Sequence, residues 1–263
     1  MKEANYFIYD GVNSRDLGVS IVSTQRGLFN ESIVSKTNIE TSKGNSELYS
    51  IKKMQNDALV LEFSIFIEKW KSSRNIREVL NWLKPRGEFK PLSFDMNPNK
   101  VFYAIRQDDV TLTHNGAQEG YMTLKFVTDS PFVYSSEVEH LKYTSVGRQT
   151  ILLNNEGDER LYPIATIKQN SASKVPIKIT NKKTGKVSIF NNINLNEELE
   201  VDFLNKEIKS SHEYLNVYRY KDFNKEWFFL EENYFGDGVN EILLEGNFTI
   251  EFTLQHIYST YME

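Results

Sequence analysis

Four histidines, three pairs of adjacent carboxylates and three tryptophans are the side chains that could carry chemistry in this sequence. His114, His140, His212 and His256 lie far apart, and none stands in an H-E-x-x-H or H-x-E setting, so no zinc-type spacing is present. No Gly-x-Ser-x-Gly elbow marks a nucleophilic serine, and scattered Ser, His and Asp specify nothing by themselves. The pairs Asp108-Asp109, Glu197-Glu198 and Glu231-Glu232 would suit glycoside hydrolysis only if two carboxylates faced each other across a sugar, roughly 5–9 Å apart. Neighbours on a strand point to opposite faces, so these pairs are read as solvated turn charges. Gly236-Asp237-Gly238-Val239-Asn240-Glu241 lacks the acidic spacing of a calcium loop and reads as a turn entering a strand. No glycine-rich phosphate loop occurs, and Lys52-Lys53 and Lys182-Lys183 have acidic or polar surroundings rather than forming a basic stripe. Trp70 ends a strand pattern and Trp82 lies in a helical one, so both are assigned to packing. Trp227, beside Phe228 and Phe229, is the tryptophan that could stack on a sugar. The residues thus specify no catalytic group, metal ligand or cofactor site.

Composition bounds the rest. A chain of 263 residues favours two domains at roughly 150 residues each. Lys and Arg total 31 against 36 Asp and Glu, a formal charge of −5 that gives no global attraction to nucleic acid or to an anionic membrane. The absence of cysteine removes disulfides and thiolate chemistry. Seventeen Phe and 14 Tyr against only 6 Pro suit strands, which tolerate proline only at their edges. The N-terminus has no apolar signal region, and the most apolar stretch, residues 58–70, is interrupted by Glu62, Ser64 and Glu68. Cytoplasmic synthesis without a cleaved export signal is therefore expected.

Period-2 alternation dominates the chain. Leu59, Leu61, Phe63, Ile65 and Ile67 share one face, which predicts a long half-buried strand. Residues 101–105 and 110–113 follow as strands, and His114-Asn115-Gly116-Ala117 offers a hairpin turn into a strand over 121–127, with Gly120 marking the restart. One segment breaks the pattern. Ile76, Val79, Leu80 and Leu83 recur at helical spacing behind Ser72-Ser73 and ahead of Pro85, predicting a helix over about 73–84 packed on a sheet. From Ser135 the chain turns polar until strands resume near Thr150, which places a domain boundary near 138. Beyond it, short strands are predicted at 151–153, 164–167, 175–180, 187–190, 199–203, 217–220, 227–230, 242–244 and 248–257. That rhythm, with turns at 181–185 and 236–238, means an antiparallel β-sandwich.

A resemblance rests on particular residues. The opening Phe7-Ile8-Tyr9-Asp10-Gly11-Val12-Asn13-Ser14-Arg15-Asp16-Leu17-Gly18-Val19 resembles that of the distal tail proteins (Dit) of bacteriophages with long, non-contractile tails. Further marks follow in the family's order: the strand 59–67, Leu80-Asn81-Trp82-Leu83, Phe102-Tyr103-Ala104, and Thr123-Leu124-Lys125-Phe126 leading to Asp129-Ser130-Pro131-Phe132-Val133-Tyr134. Ile177-Lys178-Ile179-Thr180-Asn181, Leu199-Glu200-Val201-Asp202-Phe203 and Gly238-Val239-Asn240-Glu241-Ile242 resemble the family's second domain.

The resemblance implies a mainly β protein. Residues 1–138 would form a sandwich or barrel-like ring domain with one helix, and 139–263 a galectin-like antiparallel β-sandwich. It implies a virion protein of the tail tip, made in the host bacterial cytoplasm, without enzymatic activity or cofactor. Six copies would form a ring, or two rings back to back, around the DNA channel. Its partners would be the tail tube protein, the tail-associated hub protein and receptor-binding proteins, with no sequence-specific nucleic acid and no membrane. Ring closure needs two different patches on each subunit. The polar stretch 35–50, with Lys36, Glu40, Lys43 and Glu47, is long and charged for a simple connection. It is read as reaching a neighbouring subunit or lying near the channel, against the plain alternative of a hairpin tip. The competing reading is a carbohydrate-binding module that grips cell-wall sugar through Trp227, and a wall hydrolase stands third.

Overall fold

The computed structural model describes residues 5–22, 37–43, 49–68, 73–107, 111–114, 120–172, 174–233 and 236–259. The chain divides into two compact units, Met1–Ser136 with Ser259–Glu263, and Glu137–Tyr258.

The first unit runs β1 (Phe7–Tyr9), β2 (Val12–Asn13), a 3-10 turn (Ser14–Leu17), β3 (Val19–Val22), β4 (Thr37–Lys43), β5 (Tyr49–Asn56) and β6 (Val60–Ile67). It continues with α1 (Ser73–Trp82), β7 (Lys90–Phe94), β8 (Lys100–Gln107), β9 (Leu112–His114), β10 (Gly120–Thr128) and β11 (Val133–Ser135). One antiparallel sheet has the order β2-β1-β7-β8-β10-β6-β3, with β9 on β10 and β11 on β8. Alternation sets its register. Met122, Leu124 and Phe126 of β10 are buried, and Leu124 and Phe126 pair with Phe63 and Leu61 of β6. The turn expected at 115–117 lies outside the described residues, but the strands it joins are paired.

Helix α1 lies on the sheet by Val79 and by Leu83 just past its end. Leu80, expected in that stripe, is instead exposed, because it sits about 100° around the helix from Val79. Trp82 takes its place: its ring stacks on Phe7 at 5.3 Å, and its Nε1 donates to the carbonyl of Tyr9 at 2.8 Å. Arg106 Nε donates to the carbonyl of Leu83 at 2.8 Å, supplying a partner that the helix end lacks.

The second unit runs β12 (Glu139–Asn154), β13 (Ile164–Gln169), β14 (Ile177–Asn181), β15 (Val187–Phe190), β16 (Glu198–Asp202), β17 (Glu207–Ser210), α2 (Asn216–Asp222) and β18 (Val239–Leu254). Strand β18 is its spine. The later half pairs with β13, which continues to β16 and β17, and the earlier half pairs with β14, which continues to β15. Strand β12 pairs with β18 along its whole length. Gly147 and Gly246, both at positive φ, stand opposite each other midway. All seven strands stay in one hydrogen-bonded sheet, and Leu244, Phe248, Ile250 and Phe252 share one core with Ile167, Ile179, Phe203 and Phe228.

Several expectations are corrected here. The polar run before Thr150 is not a connection: β12 begins at Glu139, and only Leu141 and Tyr143 among its first residues pack inward against the core. The short strands expected at 242–244 and 248–257 are the one strand β18. Residues 217–220, rich in β-forming types, lie in helix α2 for a reason given below. The segment 227–230 is no strand beyond a single bridge between Leu230 and Leu161. Buried asparagines occupy its backbone instead. Asn181 Nδ2 donates to the carbonyl of Phe229, Asn155 Nδ2 to that of Glu231, and Asn240 Oδ1 accepts from the N–H of Glu231.

This asparagine layer leaves no room at Gly238, where a Cβ would lie 2.1 Å from the carbonyl oxygen of Asn155. Gly238→Ala should cost this unit about 1–3 kcal/mol or more by overpacking. Gly185→Ala meets nothing within 4 Å and should cost only the left-handed backbone term, about 1–2 kcal/mol. Equal shifts of the two midpoints on chemical denaturation would refute the close-packing account.

Candidate functional site

The expected contact loop is a hairpin. Strands β4 and β5 pair antiparallel with each other and with no other described strand, placing Glu40 opposite Lys53 and Lys43 opposite Tyr49. Lys36 and Glu47 lie outside the described residues. Trp227 is half-buried, with its ring at steep angles to Phe223 (4.8 Å) and Phe203 (6.3 Å) beside the core.

The histidines stay apart in space. His114 is exposed on β9, and His140 on β12 lies 3.7 Å from Glu251. His256 is buried, and its Nδ1 accepts from the N–H of Glu156 at 3.2 Å. His212 precedes α2. Among the described residues no three of His, Asp and Glu gather as a metal site would require.

Asp108-Asp109 lies outside the described residues and Glu198 is exposed, but Glu197, Glu231 and Glu232 do not behave as solvated turn charges. Arg160 Nε lies 3.3 Å from both Glu231 Oε2 and Glu232 Oε2. Burial and the adjacent Glu232 push the Glu231 carboxyl up, whereas a backbone hydrogen bond holds that of Glu232 down. Glu197 is wholly buried. Arg219, also buried, grips it with two prongs, Nε to Oε1 and Nη2 to Oε2, each at 2.7 Å. Ser210 Oγ donates to Oε1 at 2.6 Å, and the N–H of Asn194 donates to Oε2 at 3.0 Å. Arg219 Nη1 reaches Asp222 Oδ2 at 2.9 Å and the carbonyl of Asn192 at 3.1 Å. Each nitrogen of this buried fork has an acceptor, which the low-dielectric interior demands.

That ion pair anchors a segment whose task is visible at the sheet edges. In β17 the outward N–H groups belong to Ile208 and Ser210, and they donate to Tyr220 Oη at 3.0 Å and to Asn216 Oδ1 at 2.7 Å. Two outward groups on a strand are about 6.6 Å apart, and residues i and i+4 of a helix are about 6 Å apart along its axis. A helix over 216–222 therefore presents Asn216 and Tyr220 at matching intervals, which a strand there could not do.

Strand β15 is closed in the same manner. Val187 N donates to Glu226 Oε2 (3.1 Å), and Ile189 N to Asn224 Oδ1 (3.0 Å). Asn224 in turn donates from Nδ2 to the carbonyl of Val187 (2.6 Å) and from N to that of Ile189 (3.1 Å). Sequence reasoning missed these caps because each joins residues that only strand register brings together. The Asn216/Tyr220 spacing was the one local signal. Over α2, Tyr214 and Val217 stay 75% and 71% exposed. This machinery fixes edges and presents surface.

Comparison with known proteins agrees with that character. A family model described as a phage tail protein N-terminal domain matches residues 2–130, and one described as a phage tail C-terminal domain matches residues 132–254. The SPbeta prophage-derived protein YomH of Bacillus subtilis strain 168 is 27% identical over 161 residues, covering 60% of this chain. The match spans 63% of that relative, a little under two thirds of its length. The crystal structure of the SPP1 Dit protein superposes with a TM-score of 0.67 at 17% identity, over 96% of this chain and 99% of that one. A chain of the phage P2 baseplate in its activated, Ca-containing conformation gives 0.51 at 10% identity, over 97% and 98%.

Proposed function

Because this chain belongs to the phage tail protein family and has the fold of a Dit protein, we propose that it is a non-catalytic hub of the phage tail tip. Six copies form a ring that joins the tail tube to the tail-associated hub protein and carries receptor-binding components. The observation that carries this reading is the match of both phage tail domains, in order, on a Dit-like fold that spans nearly the whole chain. SPP1 Dit is described as a paradigm of a hub adsorption apparatus in phages infecting Gram-positive bacteria, and the P2 chain belongs to a baseplate.

The hairpin β4–β5, which carries Glu40 and Lys43, reaches the neighbouring subunit in this ring, together with Lys36 and Glu47 that border its strands in sequence. Support comes from a ladder whose outer edges, among the described residues, meet no other strand of its own chain. Removal of residues 38–54, bridged by a short Gly-Ser linker, should abolish ring formation and leave both units folded. Negative-stain images and light scattering, with and without the hub partner, decide the matter. Monomers under every condition for the unmodified protein would refute the ring, and unaltered rings in the deletion would refute the hairpin's part.

A further inference from the structure

The second unit has two sealed sheet edges and one open one. On β15 and β17 the outward backbone N–H groups are occupied by Asn216, Tyr220, Asn224 and Glu226. The third edge is β12, which pairs with β18 on one side only. Its phase is fixed by Asn155, whose N–H donates to the carbonyl of Gly238. Because N–H and C=O of one residue point to the same neighbour in an antiparallel ladder, the odd-numbered residues face β18. The even-numbered ones, Arg148, Thr150, Leu152 and Asn154, turn theirs outward. No described residue caps those groups, although the same unit caps both other edges. Leu152 is 63% exposed beside them.

We infer that residues 148–154 of β12 pair antiparallel with the same strand of a second copy of this chain, about a twofold axis at Leu152. This goes beyond the tail-tip reading and does not depend on it. The register sets Leu152 opposite its own copy and Thr150 opposite Asn154, with about six backbone hydrogen bonds. It also brings Arg148 of one copy toward Glu156 of the other, an opposite-charge pairing. In the earlier half of β12, pairing about Lys142 sets two lysines opposite each other, and like charges across strands repel. A leucine left in water next to unpaired N–H groups is the feature that edge strands ordinarily avoid, and self-pairing removes it.

Residue-resolved hydrogen exchange on the full-length protein, at low and high concentration, tests this alongside sedimentation velocity. The outward amides of Thr150, Leu152 and Asn154 should exchange at least tenfold more slowly at high concentration, and those of Gln149, Ile151 and Leu153 should not change. Thr150→Pro removes an outward N–H without touching the internal ladder, so it should erase the concentration dependence and halve the mass of the paired species. Leu152→Lys, which places like charges opposite each other, should do the same and serves where the proline variant fails to fold. Outward amides that exchange at unprotected rates at every concentration overturn the inference, even in a sample that forms rings. Protection that appears only on adding another tail protein overturns it in favour of a foreign strand. Protected pairs without rings uphold it and count against the ring instead.

Discussion

Arg219→Ala is expected to lower the stability of the Glu137–Tyr258 unit by about 3–5 kcal/mol, the usual loss when one member of a buried ion pair is removed. The substitution leaves Glu197 ionised in a site shut off from the surface, with both prongs of its charged partner gone. It also frees α2, because Arg219 is the helix's inward link to the carbonyl of Asn192 and to Glu197. Asn216 and Tyr220 would then release the outward N–H groups of β17, so a rise in aggregation should accompany the lost stability. Loss of amide-exchange protection across β13 and β18 measures the first effect, and light scattering measures the second. The double variant Glu197→Leu with Arg219→Met removes both charges and should recover a good part of the stability. Recovery should stop short of wild type, because Asn194, Ser210 and Asp222 lose partners. A single variant as stable as the wild type would show that the ion pair is not what holds the helix.

The same site sets a pH dependence whose sign follows from its contacts. Burial alone would raise the Glu197 carboxyl, but hydrogen bonds from Arg219, Ser210 and Asn194 outweigh it and hold the group below its ordinary value. A carboxyl depressed on folding contributes its stability fully above its unfolded pKa, about 4.3, and loses it as pH falls through the lower folded value. Acidification below about pH 4.3 should therefore weaken the second unit, and Glu197→Gln should flatten that part of the profile.

What could be read beforehand depended on whether one local pattern carried the information. In β6, β10 and β14 the alternation of apolar and polar residues alone determines the inward face, and the structure follows it. Strand β12 offers only Leu141 and Tyr143 as inward apolar residues in its first half, too little signal to distinguish a strand from a polar connection. Residues 217–220 carry strand-forming types in a helix, because Arg219 must reach Glu197 while Asn216 and Tyr220 cover β17. Local preference yields there to a tertiary demand. Glu197 beside Glu198 looked like turn charge, since nothing near it in sequence reveals an arginine 22 positions later. The resemblance to the tail protein family was legible at Phe7–Val19 and Asp129–Tyr134. The sealed and open edges were not, because they exist only once register is set.

Phe7→Ala should cost the first unit about 3–5 kcal/mol, the range for removing a buried aromatic side chain. Phe7 is wholly buried in a three-residue strand and ties helix to sheet. Its ring stacks on Trp82 at 5.3 Å and meets Phe63 edge-on at 5.2 Å. Phe63 in turn stacks on Phe126 at 5.8 Å and meets Phe94 edge-on at 5.4 Å, so the loss removes one end of a connected aromatic cluster. Phe7→Leu keeps much of the volume but not the stacking, and should retain part of the stability. Trp82 reports the change directly, since its indole N–H is held by the carbonyl of Tyr9 next to the cavity. Its emission should shift to the red in the alanine variant under conditions where the wild type stays folded. Amides of β13 and β18, in the other unit with its own core, should keep their protection. If the ring is built by the first unit, such a protein has a folded second unit and assembles no rings. Rings of normal appearance from a chain whose Trp82 is exposed would place ring formation elsewhere in the molecule.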